Sequence, residues 1–193
     1  MTAFKTYHYL ERLGNLIRAE ARKTKAKLQP VQLEMLHYLN ICNRYSDTPA
    51  AITEYLGLTK GTVSQSLSVL ESKGYLSKTI DKKDRRVVHL KLTKKGRDIL
   101  AGSLPPKVLT MGLERLPPQQ HAQIIDSLHH LLSAMQESHG LKTFGECWTC
   151  HRLNRDENGY SCQLTGQTLR EEETELICRE HLTPKPPATN KVA

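Results

Sequence analysis

Four cysteines near the end of the chain have the residue type and the spacing of metal ligands. They follow the pattern Cys147-x2-Cys150-x11-Cys162-x15-Cys178. A Cys-x2-Cys pair places two thiolates on one tight turn, which is half of a tetrahedral site with four sulfur ligands. In a reduced cytosolic protein, clustered cysteines bind metal more often than they form disulfides. The spacing therefore predicts a metal site formed by these four cysteines.

The identity of the metal stays open at this point. Zinc and an iron–sulfur cluster both accept four thiolates, and metal-free redox thiols are a third alternative. Zinc is favoured, because the spacing matches no ferredoxin run such as Cys-x2-Cys-x2-Cys. His151 and His181 are substitute ligands, although surface histidines are the commoner interpretation. Cys42 stands in an apolar helical stretch and is expected to be a small buried residue.

A second set of side chains capable of binding lies between residues 59 and 86. It consists of small polar residues and one lysine on a predicted helix, and of two arginines on a predicted hairpin tip: Thr59, Lys60, Thr62, Ser64, Gln65, Arg85 and Arg86. Short polar side chains let a helix enter the DNA major groove and hydrogen-bond to base edges. A helix N-terminus with a lysine can hold phosphate, and an arginine can enter the minor groove. Asp84 is expected to orient one of the arginines through a bidentate pair.

The charge distribution separates the chain into unequal parts. Residues 1–143 carry 22 Lys and Arg against 12 Asp and Glu, whereas residues 144–182 carry 4 against 8. A basic body favours a polyanionic partner, although a basic surface can also be merely solvated. The break predicts a DNA-binding and dimerisation domain over 1–143 and a cysteine module over 144–182. The proline-containing tail over 183–193 is expected to be disordered.

Composition narrows the class of protein. Hydrophobic residues make up 38% and charged residues 25%, which is typical of a soluble globular protein. No apolar run approaches the roughly 18 residues that a membrane span needs. The first residues lack a basic segment followed by an apolar stretch, so no secretion signal is expected. We therefore expect a cytoplasmic location.

The elements that must position these residues follow from the apolar periodicity. Three- and four-residue spacing predicts helices over 4–27, 30–41, 48–57 and 59–74, another from Thr93, and a last one over 117–140. The period changes to two over 76–80 and 88–92, which predicts two strands joined by a charged tip. Pro105 and Pro106 should break or kink the helix that begins at Thr93, because each proline removes a backbone donor. Trp148 is expected to pack the cysteine module against the body.

The order of these elements, two helices around a tight turn and then a basic hairpin, carries a family resemblance. Residues 59–76, TKGTVSQSLSVLESKGYL, resemble the recognition helix and first wing strand of the MarR family of winged-helix regulators. Residues 84–86, DRR, and 88–96, VHLKLTKKG, resemble that family's wing and the start of its fifth helix. The resemblance covers roughly residues 5–138. The prolines at 105–106 and the cysteine module depart from the family pattern.

The resemblance implies a mainly α fold, with a winged helix-turn-helix and long dimerisation helices. It also implies a homodimer built from the first and last helices, no enzymatic activity, and often a small-molecule or redox effector. Together with the residues above, it predicts a transcriptional regulator, a repressor, that binds double-stranded DNA at an inverted repeat. The cysteine-ligated metal module would be either structural or a sensor of metal or redox state.

Two alternatives from other classes remain open. The cysteines could belong to a thiol or metal-dependent redox enzyme, or to a zinc-ribbon module that docks a partner protein. The enzyme has the Cys-x2-Cys pair in its favour, but no βαβ pattern surrounds that pair. The connection over 140–143 is short, so the module is expected to rest on the dimerising helices or close to the DNA-binding lobe.

Overall fold

The computed structural model describes residues 1–23, 27–157 and 159–183. These residues form a mainly helical protein with two small sheets. The elements in chain order are α1 (Thr2–Ala21), α2 (Pro30–Ile41), α3 (Pro49–Leu56), α4 (Lys60–Ser72), β1 (Leu76–Ile80), β2 (Val88–Leu92), α5 (Lys94–Ala101), α6 (Lys107–Leu113), α7 (Pro118–Ser138), a 3-10 helix (Cys147–Thr149), β3 (Leu153–Asp156), β4 (Gly159–Cys162), β5 (Gln167–Leu169) and α8 (Glu171–Thr174). In the part of the chain so described, no helix is long and apolar enough to cross a membrane.

The predicted helix-turn-helix and hairpin share one aliphatic core. Leu36 of α2, Ile52 of α3 and Leu70 of α4 are completely buried, and Leu90 of β2 lies against them. The two strands pair antiparallel from Leu76↔Leu92 to Ile80↔Val88, as the two-residue period predicted. Burial of these aliphatic side chains is the main force that holds α4 and the hairpin in one unit.

The helix starts follow the threonines that the sequence indicated. Thr48, Thr59 and Thr93 each accept a hydrogen bond from the backbone N–H three residues further on, and so cap α3, α4 and α5. Gly57 has a φ of 62°, a left-handed conformation that glycine adopts without steric cost, and it forms the tight turn between α3 and α4. These local signals explain why the predicted starts are confirmed.

The ends of the outer helices differ in part from the predictions. The first helix ends at Ala21 and not at residue 27, and residues 24–26 lie outside the described chain. Pro105 and Pro106 separate α5 from α6, as predicted, and α6 packs on α1. The predicted disordered tail lies outside the described residues except for Thr183.

The cysteine module contains an antiparallel sheet in the order β3-β4-β5, followed by α8. It lies against the helix-turn-helix, because Ile177 exchanges backbone hydrogen bonds with Ile41 and Asn43 at the end of α2. Of the two predicted resting places, the structure therefore has the module on the DNA-binding lobe.

The aromatic residue that anchors the module is not the predicted one. Trp148 is 60% exposed, and its indole N–H donates to Glu146 within the module. Phe144 is 8% exposed and packs edge-on against Tyr38 and Tyr55, with ring centroids 6.2 and 5.2 Å away. The prediction for Trp148 was wrong, because the indole stays largely exposed in an open groove between the module and α7, whereas Phe144 is buried.

Candidate nucleic-acid interface and cysteine cluster

The recognition face of α4 is polar and exposed. The inward positions Val63, Leu67 and Leu70 are buried, and this orientation turns the predicted contact residues outward. Those exposed residues are Thr59, Lys60, Thr62, Ser64 and Gln65. The first turn of α4 therefore presents backbone N–H groups, one ammonium group and short polar side chains to solvent, which is the chemistry of phosphate and base-edge contacts.

The two threonines of this face are partly engaged with each other. The Thr59 hydroxyl accepts from the Thr62 backbone N–H at 3.2 Å, and the two hydroxyl oxygens lie 2.9 Å apart. Thr62 is thereby held in one orientation at the start of the helix. Gln65, one turn further on, has the longest uncharged polar side chain of the face and can reach furthest from the helix axis.

The wing tip holds one of its arginines in a fixed position. Nε and Nη2 of Arg86 donate to the two carboxylate oxygens of Asp84 at 3.0 and 2.9 Å. Asp81 in turn accepts from the backbone N–H groups of Lys83 and Asp84 at 2.7 Å, which closes the tip. The expectation that Asp84 orients an arginine is confirmed for Arg86. Arg85 is exposed beside it.

A histidine between two carboxylates joins the wing to the α2–α3 loop, residues 42–48. His89 of β2 lies with Nδ1 2.5 Å from Asp47 and Nε2 3.3 Å from Asp81. The hydrogen bond to Asp47 raises the pKa of His89. Burial raises the pKa of Asp47, and the bond from His89 opposes that shift. A protonated His89 is therefore the group that neutralises a carboxylate held away from water.

This arrangement predicts a pH-dependent stability. The contribution of His89 is complete below its unfolded pKa of about 6.5 and is lost as pH rises through the higher folded pKa. We expect His89→Gln to destabilise the protein more at about pH 5.5 than at about pH 8.5, measured by urea unfolding. His130→Gln is the control, since His130 is 73% exposed beside Asp126. An equal loss from His89→Gln at both pH values would contradict the prediction.

The four predicted ligand cysteines converge in the structure. Cys147, Cys150, Cys162 and Cys178 line one cavity of about 100 Å³, together with Asn43 of the α2–α3 loop. The 3-10 helix brings the first two together, because the Cys150 backbone N–H donates to the Cys147 carbonyl at 2.9 Å. A hydrogen bond between the Cys147 and Cys178 thiols lowers the pKa of Cys178 and raises that of Cys147.

The chemistry of the cluster fits a soft metal ion, because four sulfurs line one cavity and two of them accept N–H groups. Asn43 Nδ2 donates to Cys147 Sγ at 3.5 Å, and the Leu182 backbone N–H donates to Cys150 Sγ at 3.4 Å. Bonds of this kind orient thiolate ligands. Across residues 1–23, 27–157 and 159–183, however, no group of three or more His, Cys, Asp or Glu side chains is arranged to hold a metal ion.

His181 and the isolated cysteine have other roles, and the His151 side chain is exposed. Both ring nitrogens of His181 lie within hydrogen-bond distance of threonine hydroxyls, those of Thr143 and Thr149, and burial lowers its pKa. Cys42 is 8% exposed, and burial raises the pKa of its thiol to about 12. Its expected role as a small buried residue is confirmed.

Sequence reasoning missed the residues of the α2–α3 loop. Asn43 hydrogen-bonds to Cys147, which is 104 residues further along the sequence, and Asp47 hydrogen-bonds to His89, which is 42 residues further along. The polar run over 43–47 indicates a loop, and no spacing within it points to either partner.

The comparisons with known proteins support the fold of the first domain. Residues 26–87 match the model of the MarR family. Among solved structures, the chain is similar to the S. aureus MepR–DNA complex, with 24% identity over 66% of this chain and 97% of that chain and a TM-score of 0.56. It is also similar to Streptococcus pneumoniae FabT in complex with DNA, with 25% identity over 71% of this chain and 99% of that one and a TM-score of 0.54.

A third similar structure is a MarR transcriptional regulator from Methanosarcina mazei. It shares 22% identity over 70% of this chain and 97% of its own, with a TM-score of 0.58. The chain therefore shares the winged helix-turn-helix fold of these structures. Each of the three matches leaves between 29% and 34% of this chain uncovered.

Proposed function

We propose that this protein is a DNA-binding transcriptional regulator whose α4 enters the major groove. The observation that carries the proposal is the exposed polar face of α4, fixed beside a wing that ends in two arginines. Two of the similar structures are complexes with DNA. Within the face, we assign base readout to Thr62, Ser64 and Gln65. Phosphate and minor-groove contacts are assigned to the remaining predicted residues, which are Thr59, Lys60, Arg85 and Arg86.

Replacement of Gln65 tests this assignment. The probe is a duplex selected by the full-length protein from a randomised library, and a scrambled duplex gives the nonspecific affinity. We expect Gln65→Ala to lose about 1–3 kcal/mol on the selected duplex and little on the scrambled one. Ser72→Ala, at the far end of α4, is the control because its hydroxyl only bonds back to the Val69 carbonyl. Equal losses on both duplexes would refute base readout.

We further propose a homodimer that acts as a repressor. Neither α1 nor α7, both described in full, contains a buried residue. Their apolar side chains are instead widely exposed, with Phe4 at 75% and Ile125 at 69%. A second copy would cover these faces and place two winged helices about one DNA turn apart on an inverted repeat. Such a dimer would block the DNA it occupies. A monomer by light scattering at micromolar concentration would contradict this assembly.

The cysteine cluster is proposed to hold zinc, with an iron–sulfur cluster as the alternative. Support comes from the four sulfurs around one cavity and from the N–H groups that donate to two of them. Zinc would crosslink the module and add to its stability. Anaerobic purification, followed by metal analysis and an absorption spectrum, distinguishes the two. A colourless protein with about one zinc per chain supports zinc, and a brown protein with iron supports the cluster.

The redox-enzyme alternative has less support. The sheet beside the Cys-x2-Cys pair is an antiparallel β3-β4-β5 meander, whereas redox motifs of the thioredoxin type accompany a βαβ pattern.

A further inference from the structure

The α2–α3 loop contacts the cysteine cavity on one side and α3 and the wing on the other. On the cavity side, Asn43 donates to Cys147 Sγ at 3.5 Å and to the Ile177 carbonyl, through its backbone N–H, at 2.9 Å. Ser46 Oγ donates to Asn43 Oδ1 at 2.8 Å and accepts from the Arg179 backbone N–H at 2.9 Å. The loop is thus hydrogen-bonded to Cys147 and to both neighbours of Cys178.

The same loop positions α3 and the wing. Thr48 caps α3, and the Asp47 carbonyl accepts from the Leu90 backbone N–H of β2 at 2.7 Å. The Asp47 carboxylate also bonds to His89 of the same strand. A movement of the loop would therefore displace the first residues of α3 and the strand β2 of the wing together.

A direct ion pair adds a second connection from the cavity to α3. Arg179, the residue after Cys178, donates to both carboxylate oxygens of Glu54 on α3, with Nε 2.8 Å from Oε2. The position of Cys178 is thereby tied to the helix that precedes the recognition helix.

Burial makes these contacts stiff. Asn43, Ser46 and Asp47 are exposed by only 4%, 0% and 8% of their surfaces. Water cannot reach such positions to replace a lost hydrogen bond, and a buried polar group without a partner is costly. A polar group there is therefore expected to move with its hydrogen-bond partner. A displacement of the Cys147 or Cys178 sulfur is therefore expected to move the loop.

We propose that a soft metal ion bound by the four cysteines is an allosteric effector of DNA binding, and that the α2–α3 loop and the Arg179–Glu54 pair transmit its presence to α3 and the wing. The inference rests on the proposed function, since it takes DNA binding and a metal ion in the cavity as given. Coordination fixes the four sulfurs and, through the contacts above, holds the loop in the position that supports α3 and the wing, so the loaded protein has the higher DNA affinity. The expected ratio of affinities is about fivefold or more, the lower bound of ordinary allosteric couplings.

The test compares full-length protein loaded with zinc and the same protein stripped by a chelator under reducing, anaerobic conditions. Zinc content and affinity for the selected duplex are measured for each form. Arg179→Met removes the contact with Glu54 and keeps the aliphatic stem. Arg155→Met is the matched control. It removes the same charge from the module, but Arg155 contacts Tyr160 on β4, within the module, and not α3. Ratios of loaded to stripped affinity cancel any direct effect of the lost charge on DNA binding.

We expect wild type and Arg155→Met to bind the selected duplex about fivefold or more tightly when loaded with zinc. Arg179→Met is expected to take up the same amount of zinc but to show a much smaller ratio of loaded to stripped affinity.

A wild type that holds zinc and binds DNA equally in both forms would overturn the inference and leave both proposed functions intact. An undiminished ratio in Arg179→Met would overturn the transmission through α3. A protein that takes up no zinc would overturn the metal proposal and the inference with it, and one that selects no duplex would overturn the proposed regulator.

Discussion

Phe144→Ala is expected to lower the free energy of unfolding by about 3–5 kcal/mol, the usual cost of truncating a buried phenylalanine. The ring fills the space between the end of α2 and α3, where it meets Tyr38 and Tyr55 edge-on. Its removal leaves a cavity between two backbone segments that hydrogen bonds hold in place, so the site can collapse only in part. Urea unfolding of wild type and variant under identical conditions gives the difference.

Trp148→Ala is the matched control for this prediction. Trp148 belongs to the same module and is larger, but it is 60% exposed. We expect its loss to change the stability by about 0.5 kcal/mol or less, as for other surface substitutions. If the two variants were equally destabilised, the indole and the phenyl ring would share the anchoring role, and the description of Phe144 as the anchor would be wrong.

Gly96→Ala should destabilise the protein by about 3 kcal/mol, at the upper end of overpacking effects. A Cβ at this position would lie 2.1 Å from the Tyr75 carbonyl oxygen. The backbone of α5 fixes the position of that Cβ and the oxygen is itself a backbone atom, so no side-chain rotation can separate them. Helix α5 would have to move off the hairpin. That movement would break the bonds from the Thr93 hydroxyl to the Gly74 and Tyr75 carbonyls. Thermal and urea unfolding report the loss.

Gly112→Ala separates this steric effect from the effect of adding a methyl group to a helix. Gly112 lies in α6, and a Cβ added there would meet no heavy atom within 4 Å outside its own helix turn and chain neighbours. Alanine has the higher helix propensity by about 1 kcal/mol, so this variant is expected to be slightly more stable than wild type. A stabilised Gly96→Ala would show that α5 does not pack on the hairpin as described.

The local features of the fold could be predicted from the sequence, because their signals lie within a few residues. Thr48, Thr59 and Thr93 marked helix starts, and the change of period after Gly74 marked the hairpin. The spacing of the four cysteines also predicted that their side chains lie close together, around one cavity. Contacts between distant segments could not be predicted. The bond between Arg179 and Ser46 joins residues 133 positions apart, and neither residue type nor spacing indicates the other.

The choice between Phe144 and Trp148 shows a second limit. Both are aromatic and both are near the start of the module, so composition favours the larger ring as the anchor. The burial of each was decided by the backbone at residue 144, which has a φ of 46°, a conformation that few non-glycine residues adopt. No sequence pattern around the residue indicated that turn.

The long separation between the α2–α3 loop and its partners has a consequence for the newly made chain. Domains fold from the N-terminus during synthesis, at about 5–20 residues per second. The 133 residues that follow Ser46, up to and including Arg179, therefore take about 7–27 s to add. Until the module has been added, its contacts with Asn43 and Ser46 cannot form. Each nascent chain thus has a period in which the winged helix is complete and the segment that carries Cys178 does not yet exist.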